Sequence, residues 1–475
     1  MKLFKNFSLY SLGKMLVEGL KFFLIPIYTT YIPIAEYGLY SILMTLKDVF
    51  LSFSTQIAKA SYSRFFFKDK EDKTSLPSII SLFTIGFGFF AILALLLSNI
   101  VRDTIFSSFP EYFFLFYVII AIAFFQFFIQ LKKTEVMMRA RASHYLIISI
   151  LIGIFPLLII LYLVLVKDMT IDALLYGLLV PYTIVGTYVL ITLSKSIFKR
   201  PSKALIRKYF SYGFPMALKS ISNKLIKGGD RIIIQIMLSS AAVGAYSFVY
   251  LVTNALSLFM IQPFNKVITP IIMKNEDNHK VLQRTVSHAS ISLLVALSTL
   301  AMIFVFFVEY ILRLIVTNPE YLDYMPIIYL LSIAFVIKSG NSFASKGLML
   351  SNRTDIIMWI TIVTGISNVL MNILFIFFFG IWGAVLASII TYLIITLSYT
   401  YYSEKHHFLR YPKARIWTVI STYSLIIGLF YATESIINDI LLKVLLIGLY
   451  LTILWMLRIL TKKNIEYVMK TIRKA

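Results

Sequence analysis

The chain of 475 residues is 59% hydrophobic and 16% aromatic, but only 14% charged. A soluble domain is nearer half apolar and one quarter charged, so this composition excludes a cytosolic enzyme, a disordered chain, a coiled coil and a collagen-like fibre, and leaves a polytopic membrane protein. With no cysteine there is neither a disulfide framework nor a thiolate metal site, and the net charge of +23 must be explained by where the charges sit.

Apolar stretches bounded by charge or turn clusters predict fourteen membrane-spanning helices. Span 1, at about 7–31, begins like a signal peptide, with Lys2 and Lys5 before an apolar run. Lys14 and Glu18 interrupt that run and no small-residue cleavage site follows, so it reads as an uncleaved span. Span 2 covers about 37–60 and carries Lys47 beside Asp48. Spans 3 to 6, at about 76–99, 111–131, 144–166 and 173–194, are almost free of charge. Span 7, at about 210–237, differs: Lys219, Lys224, Lys227, Asp230 and Arg231 all lie within it. Spans 8 to 14 follow at about 244–270, 285–308, 325–345, 356–379, 381–402, 416–433 and 440–460, with Lys266 in span 8 and Lys338 in span 10. Backbone polar groups in lipid must be satisfied within a segment, and these stretches are too long and evenly apolar for barrel strands. The fold class expected is therefore an all-α polytopic membrane protein.

Placing both termini in the cytoplasm puts about 30 of the 45 cations in cytoplasmic segments, Lys346 among them, and leaves only Arg102, Lys167 and Arg313 on the other side. That asymmetry over short loops fixes the orientation and accounts for most of the net charge without nucleic acid. The remaining cations lie inside spans. Lys59, Lys443 and Arg458 are near enough to helix ends to snorkel. Lys14, Lys21, Lys219, Lys224, Lys227, Arg231, Lys266 and Lys338 are not, and a cation at a helix centre costs roughly 2.5–3.5 kcal/mol. At 100° per residue the charges of span 7 fall within an arc of about 140°, and Lys14, Glu18 and Lys21 within about 60°. Glu18, Asp48 and Asp230 are the carboxylates inside the spans, too few to pair Lys219, Lys224, Lys266 and Lys338. A wet interior with net positive charge calls for an anionic cargo. Pro26, Pro156, Pro263, Pro270 and Gly228-Gly229 are positions where the spans are expected to kink.

The chain also repeats itself. Glu36-Tyr37-Gly38-Leu39-Tyr40-Ser41 matches Ala242-Val243-Gly244-Ala245-Tyr246-Ser247, and Arg141-Ala142-Ser143 matches Arg353-Thr354-Asp355 at nearly the same offset. Two six-helix lobes, 1–205 and 206–410, followed by two further helices in 411–475, are the expected organisation, with a central cationic cavity between duplicated lobes as in an alternating-access carrier.

Ser211-Tyr212-Gly213-Phe214-Pro215, Asp230-Arg231 and Val243-Gly244-Ala245-Tyr246-Ser247 resemble the seventh and eighth helices of bacterial polysaccharide flippases, the Wzx-type transporters of O-antigen and capsule repeat units. Pro26-Ile27-Tyr28-Thr29 and Glu36-Tyr37-Gly38 are similar to their first two helices. The resemblance covers the whole chain and places it in the multidrug/oligosaccharidyl-lipid/polysaccharide exporter superfamily. It implies a transporter rather than an enzyme, moving undecaprenyl-pyrophosphate-linked glycan across the cytoplasmic (inner) membrane. It further implies coupling to a proton or sodium gradient, and polysaccharide polymerase machinery as a partner. On this reading Lys14, Lys21, Lys219, Lys224, Lys227, Arg231, Lys266 and Lys338 form the pyrophosphate path, while Glu18, Asp48 and Asp230 are the ion-coupling candidates. No cofactor and no metal site are expected, and no Walker-type G-x-x-x-x-G-K-[ST] motif is present. A lipid II flippase shares the fold and the anionic cargo. A drug/cation antiporter of the same superfamily would instead present unpaired carboxylates.

Overall fold

The computed structural model describes residues 22–65, 74–139, 141–197, 200–262, 278–433 and 440–459, together with residues 19, 264, 265, 268, 269 and 272. Lys14, Glu18, Lys21, Lys266, Pro263 and Pro270 lie outside them. Among the described residues the structure is helical, with no strand. Ten helices are long and apolar enough to cross a membrane. The fourteen expected spans are reached with four more. Two long helices, Ile34–Phe65 and Lys203–Met237, are the charged spans 2 and 7. A third, Ile440–Met456, is apolar but has 17 residues. The fourth is span 1, described only from its second half onward.

The chain forms two compact units, Met1–Ser247 and Phe248–Ala475. The boundary falls some forty residues beyond the 205/206 boundary of the sequence repeat, because the first helix of the second repeat packs into the first unit.

In the N-terminal unit a short helix α1 (Ile25–Tyr31) precedes α2 (Ile34–Phe65). Pro26 sits in the first turn of α1, where its missing N–H has no intrahelical partner to lose. Phe22 and Phe23 before it are also helical and Leu24 is a turn, so the span is interrupted beside Pro26, where the sequence placed a kink. Then come α3 (Ser75–Leu96), α4 (Ser98–Ile105), α5 (Leu115–Met138), α6 (Ala142–Lys167) and α7 (Ile171–Ile197). Pro156 lies inside α6 and Pro181 inside α7. The core joins Leu51, Ile57 and Ala58 of α2 to Ile79 and Phe83 of α3, Phe127 and Leu131 of α5, and Val189 of α7.

α8 (Lys203–Met237) begins at Ser202, whose side chain accepts from the Leu205 N–H, and runs antiparallel to α2. Three contacts set the register. Ser61 Oγ donates to Tyr209 O at 2.7 Å, a Cβ on Gly213 would stand 2.5 Å from Ile57 O, and Lys224 pairs with Asp48. As one residue number falls the other rises by nearly the same amount, which is the signature of two helices side by side in opposite directions. Gly213 is required there: without a side chain the two backbones approach, as small residues allow in membrane helix pairs.

The C-terminal unit begins within α9 (Ser240–Leu256), which continues into a single π turn at Ser257–Ile261. It contains α10 (His279–Ile315), α11 (Ile327–Ala344), α12 (Lys346–Leu350), α13 (Thr354–Phe379), α14 (Ile381–His406), α15 (Lys413–Thr433) and α16 (Ile440–Met456). Buried tyrosines tie its helices together. Tyr423 OH and Ser332 Oγ are 2.7 Å apart, and Tyr399 OH and Thr361 Oγ1 are 2.9 Å apart. Many large apolar side chains face outward, Phe377, Leu370 and Ile191 among them. Contiguous exposed apolar surface of this kind is that of a chain solvated by lipid.

One sequence expectation for a lysine fails in this unit. Lys443 does not snorkel: it is 1% exposed, with Nζ 3.2 Å from Tyr310 OH and over the Tyr310 and Phe430 rings. Aromatic faces stabilise its charge in place of water. Lys346, placed by sequence in a cytoplasmic loop, is also buried and donates to Thr269 Oγ1 at 2.8 Å.

Candidate functional site

α8 carries charges where a membrane helix ordinarily has none, and its packing against α2 decides how each is disposed. Lys219 is half-buried, and its ammonium has no hydrogen-bond or ion-pair partner among the described residues. Lys224, one turn further, pairs with Asp48 of α2. Asp48 also lies 3.6 Å from the ammonium of its neighbour Lys47, which is buried. The Lys224 and Asp48 side chains are 37% and 36% exposed, so this pair is open to solvent or to a ligand. Lys227 is exposed.

Asp230 and Arg231 are disposed differently. The Asp230 side chain is 2% exposed; it accepts from the Tyr246 hydroxyl of α9 and, at 2.9 Å, from the Arg231 backbone N–H. The Arg231 guanidinium donates to Ser247 Oγ and to Lys227 O, both at 2.9 Å, and lies 3.6 Å from the Asp230 carboxylate. A buried charge is retained when its remaining hydrogen bonds are satisfied, and these are.

The expectation that too few carboxylates exist to pair Lys224 is thus corrected by its contact with Asp48. Lys338 belongs to the other unit. Its ammonium lies 4.4 Å from the Phe335 ring centroid and 5.1 Å from that of Tyr392, a cation–π setting.

Sequence reasoning did not single out Tyr246 and Ser247 as partners of Asp230 and Arg231. The signal was available: both residues close the repeated Gly-x-Tyr-Ser motif, and Tyr246 corresponds to Tyr40. Tyr40 in turn stands in a cluster with Tyr28 and Tyr37, their centroids 5.0–6.2 Å apart.

Taken together, Lys47–Asp48 and residues 219–231 hold five cations and two carboxylates. Asp230 is committed to Arg231 and Tyr246, and Asp48 is shared between Lys47 and Lys224. The face therefore has positive charge to spare, of a kind that attracts phosphate as a mobile point-charge partner.

A family model for polysaccharide biosynthesis proteins matches residues 3–276, more than half of the chain and all of the α2–α8 face. The chain belongs to the polysaccharide biosynthesis protein family. A relative in Haloferax volcanii, named as the probable low-salt glycan biosynthesis flippase Agl15, is 23% identical over 283 residues, covering 59% of each chain. The chain thus spans about three fifths of that relative's length. Among solved structures, the lipid II flippase MurJ in an inward closed conformation aligns with a TM-score of 0.69 at 15% identity, covering 95% of this chain and 100% of that one. An inward-facing multidrug resistance MATE transporter of the MOP superfamily aligns at 0.65 and 14%, covering 87% and 96%. At these identities the likeness is one of fold. This family member is accordingly a multi-pass integral membrane protein with the fold shared by MurJ and MATE transporters.

Proposed function

We propose that the protein is a flippase that moves undecaprenyl-pyrophosphate-linked oligosaccharide repeat units from the inner to the outer leaflet of the cytoplasmic membrane, with both termini in the cytoplasm. The observation that carries this reading is Lys219, a half-buried ammonium without a partner among the described residues, followed along the same helix by Lys224, Lys227 and Arg231. An unpaired cation at such a depth costs free energy and is retained where an anionic group visits it. The family, and the name of its Haloferax relative, make glycan the attached cargo.

The same geometry suggests how an ion gradient couples to transport. Asp48 and an arriving pyrophosphate compete for Lys224. When the phosphate wins, Asp48 keeps Lys47 beside it but loses Lys224, and becomes the more ready to take up a proton or a sodium ion. Asp230, enclosed by Arg231 and Tyr246, is a structural partner in this scheme, which leaves Asp48 as the coupling group on α2. Lys14, Lys21 and Glu18 of span 1, with Lys266 and Lys338, complete the proposed set of path and coupling residues.

The test is transport in proteoliposomes containing the full chain, with a fluorescent undecaprenyl-pyrophosphate-linked oligosaccharide and an imposed proton or sodium gradient. The reading requires gradient-dependent appearance of cargo in the opposite leaflet. Equal transport of lipid II, or transport of cationic drugs without movement of the glycolipid, would contradict it.

A further inference from the structure

A cavity of about 280 Å³ lies wholly within the C-terminal unit, among α10, α11, α14 and α15. Its apolar wall is built from Leu293, Phe343, Ala344, Leu397, Ile416 and Trp417. Six hydroxyls also line it: Tyr401 stands at the exposed mouth, Tyr411 OH donates to Phe343 O, and those of Ser290, Ser339, Thr396 and Thr400 donate to main-chain carbonyls. Ser290 Oγ donates to Ser287 O at 3.0 Å, and Ser339 Oγ to Val336 O at 2.6 Å. Thr396 Oγ1 donates to Tyr392 O and Thr400 Oγ1 to Thr396 O, both at 2.7 Å. A buried water needs two to four polar partners, and these walls offer it little beyond acceptors already in use. The lining suits hydrocarbon.

The cavity opens to the side. Leu397 and Tyr401, both on its wall, are 47% and 61% exposed, and α14 and α15 are both apolar, membrane-crossing helices. The opening therefore meets lipid. Where α14 gives way to α15, the edge beside the lining residues Tyr411 and Lys413 carries Arg410 and Lys413. Glu404 accepts from Lys413, at 2.5 Å, and from the Tyr411 N–H, at 3.1 Å. Arg410 is held in place rather than loose: its backbone N–H donates to Gln283 Oε1 at 2.8 Å, and its guanidinium donates to Glu404 O at 2.8 Å. The rim is thus a fixed positive edge beside an apolar hole.

We propose that this cavity binds one acyl chain of an anionic bilayer glycerophospholipid, whose phosphate rests on the Arg410–Lys413 rim. A hole of this size, opening onto the bilayer beside a positive edge, suits one acyl chain of an anionic phospholipid, and competition with undecaprenyl phosphate decides between that lipid and the carrier. A lipid so bound stabilises the unit in proportion to its occupancy.

The experiment uses the full chain in vesicles with phosphatidylglycerol carrying a photoreactive diazirine on one acyl chain, followed by peptide mapping. Saturable labelling of residues 340–344, 396–401 and 413–417 is expected, at least ten-fold stronger than with the same probe on phosphatidylcholine. Thr400→Trp, which fills the cavity, should lower the labelling at least ten-fold. Leu397→Trp, at the exposed mouth, should do the same if the first variant does not fold. Lys413→Glu with Arg410→Glu should abolish the headgroup preference while labelling by phosphatidylcholine persists. Equal labelling by the two lipids, labelling unchanged by both tryptophans, or displacement by equimolar undecaprenyl phosphate would overturn the proposal. The last result would assign the cavity to the carrier lipid. Glycolipid transport is not read in this experiment, so its outcome is separate from that of the flippase reading.

Discussion

Gly38 of α2 and Gly244 of α9 cross with no room for a side chain on either. A Cβ on Gly38 would lie 2.0 Å from Ser240 O and 2.9 Å from Gly244 N, and one on Gly244 would lie 1.9 Å from Ile34 O. The two glycines hold the same place in the two Gly-x-Tyr-Ser segments, Gly38–Ser41 and Gly244–Ser247. Because the obstructing atoms are backbone, Gly38→Ala or Gly244→Ala must force the helices apart. A loss of about 1–3 kcal/mol is expected, read as a lowered unfolding temperature in detergent. Gly88→Ala is the control: nothing lies within 4 Å of its Cβ position, and stability should hold or rise.

Asp230 should prove structural. Tyr246→Phe removes one of its donors and should cost about 1–3 kcal/mol, while gradient-driven transport by the folded fraction persists. Asp48→Asn should do the reverse, with little loss of stability at a half-exposed pair and loss of the response to the gradient. If Asp48→Asn leaves coupling intact, the carboxylate lies elsewhere, and Glu18→Gln becomes the next variant to measure.

These contrasts show what could be read from sequence. The helices, their approximate ends and the charged character of spans 2 and 7 follow from apolar run length and the positions of Lys47, Asp48, Lys219 and Lys224. Lys224–Asp48 did not follow, because pairing across 176 positions depends on the antiparallel register of α2 and α8. The burial of Lys443 and Lys346 was hidden for a similar reason. A lysine near a helix end is free to snorkel unless neighbouring helices enclose it, and those neighbours come from distant sequence.

Burial pushes the Tyr411 phenol up to about 12 from its usual value of 10.0. Its hydroxyl donates to Phe343 O at 3.0 Å, fixing the turn between α14 and α15. Folding therefore favours the neutral phenol. That contribution is complete below about pH 10 and is lost as the pH rises through about 12. Wild type should exceed Tyr411→Phe in stability by about 1 kcal/mol at neutral pH. The difference, followed by thermal unfolding across this window, should shrink toward zero. A difference that grows with pH would contradict the assignment.

Orientation is tested by reporter fusions. Fusions at Lys203 and Lys470 should report the cytoplasm, and one at Leu322 the opposite side, as the cation asymmetry requires. A cytoplasmic signal at Leu322 would remove the fourteen-span arrangement.

The account rests most heavily on the claim that the α8 ammonium groups serve an anionic headgroup. Lys219 is the sharpest place to ask, because substituting it breaks no ion pair among the described residues. The measurement is the initial rate of glycolipid transport into the opposite leaflet, per folded protein in proteoliposomes, for Lys219→Arg, Lys219→Ala and Lys219→Glu. Charge as the requirement predicts that Arg keeps most of the rate, that Ala loses about ten-fold or more, equivalent to about 1.4 kcal/mol, and that Glu is the slowest. Wild-type rates for Ala and Glu would contradict the claim.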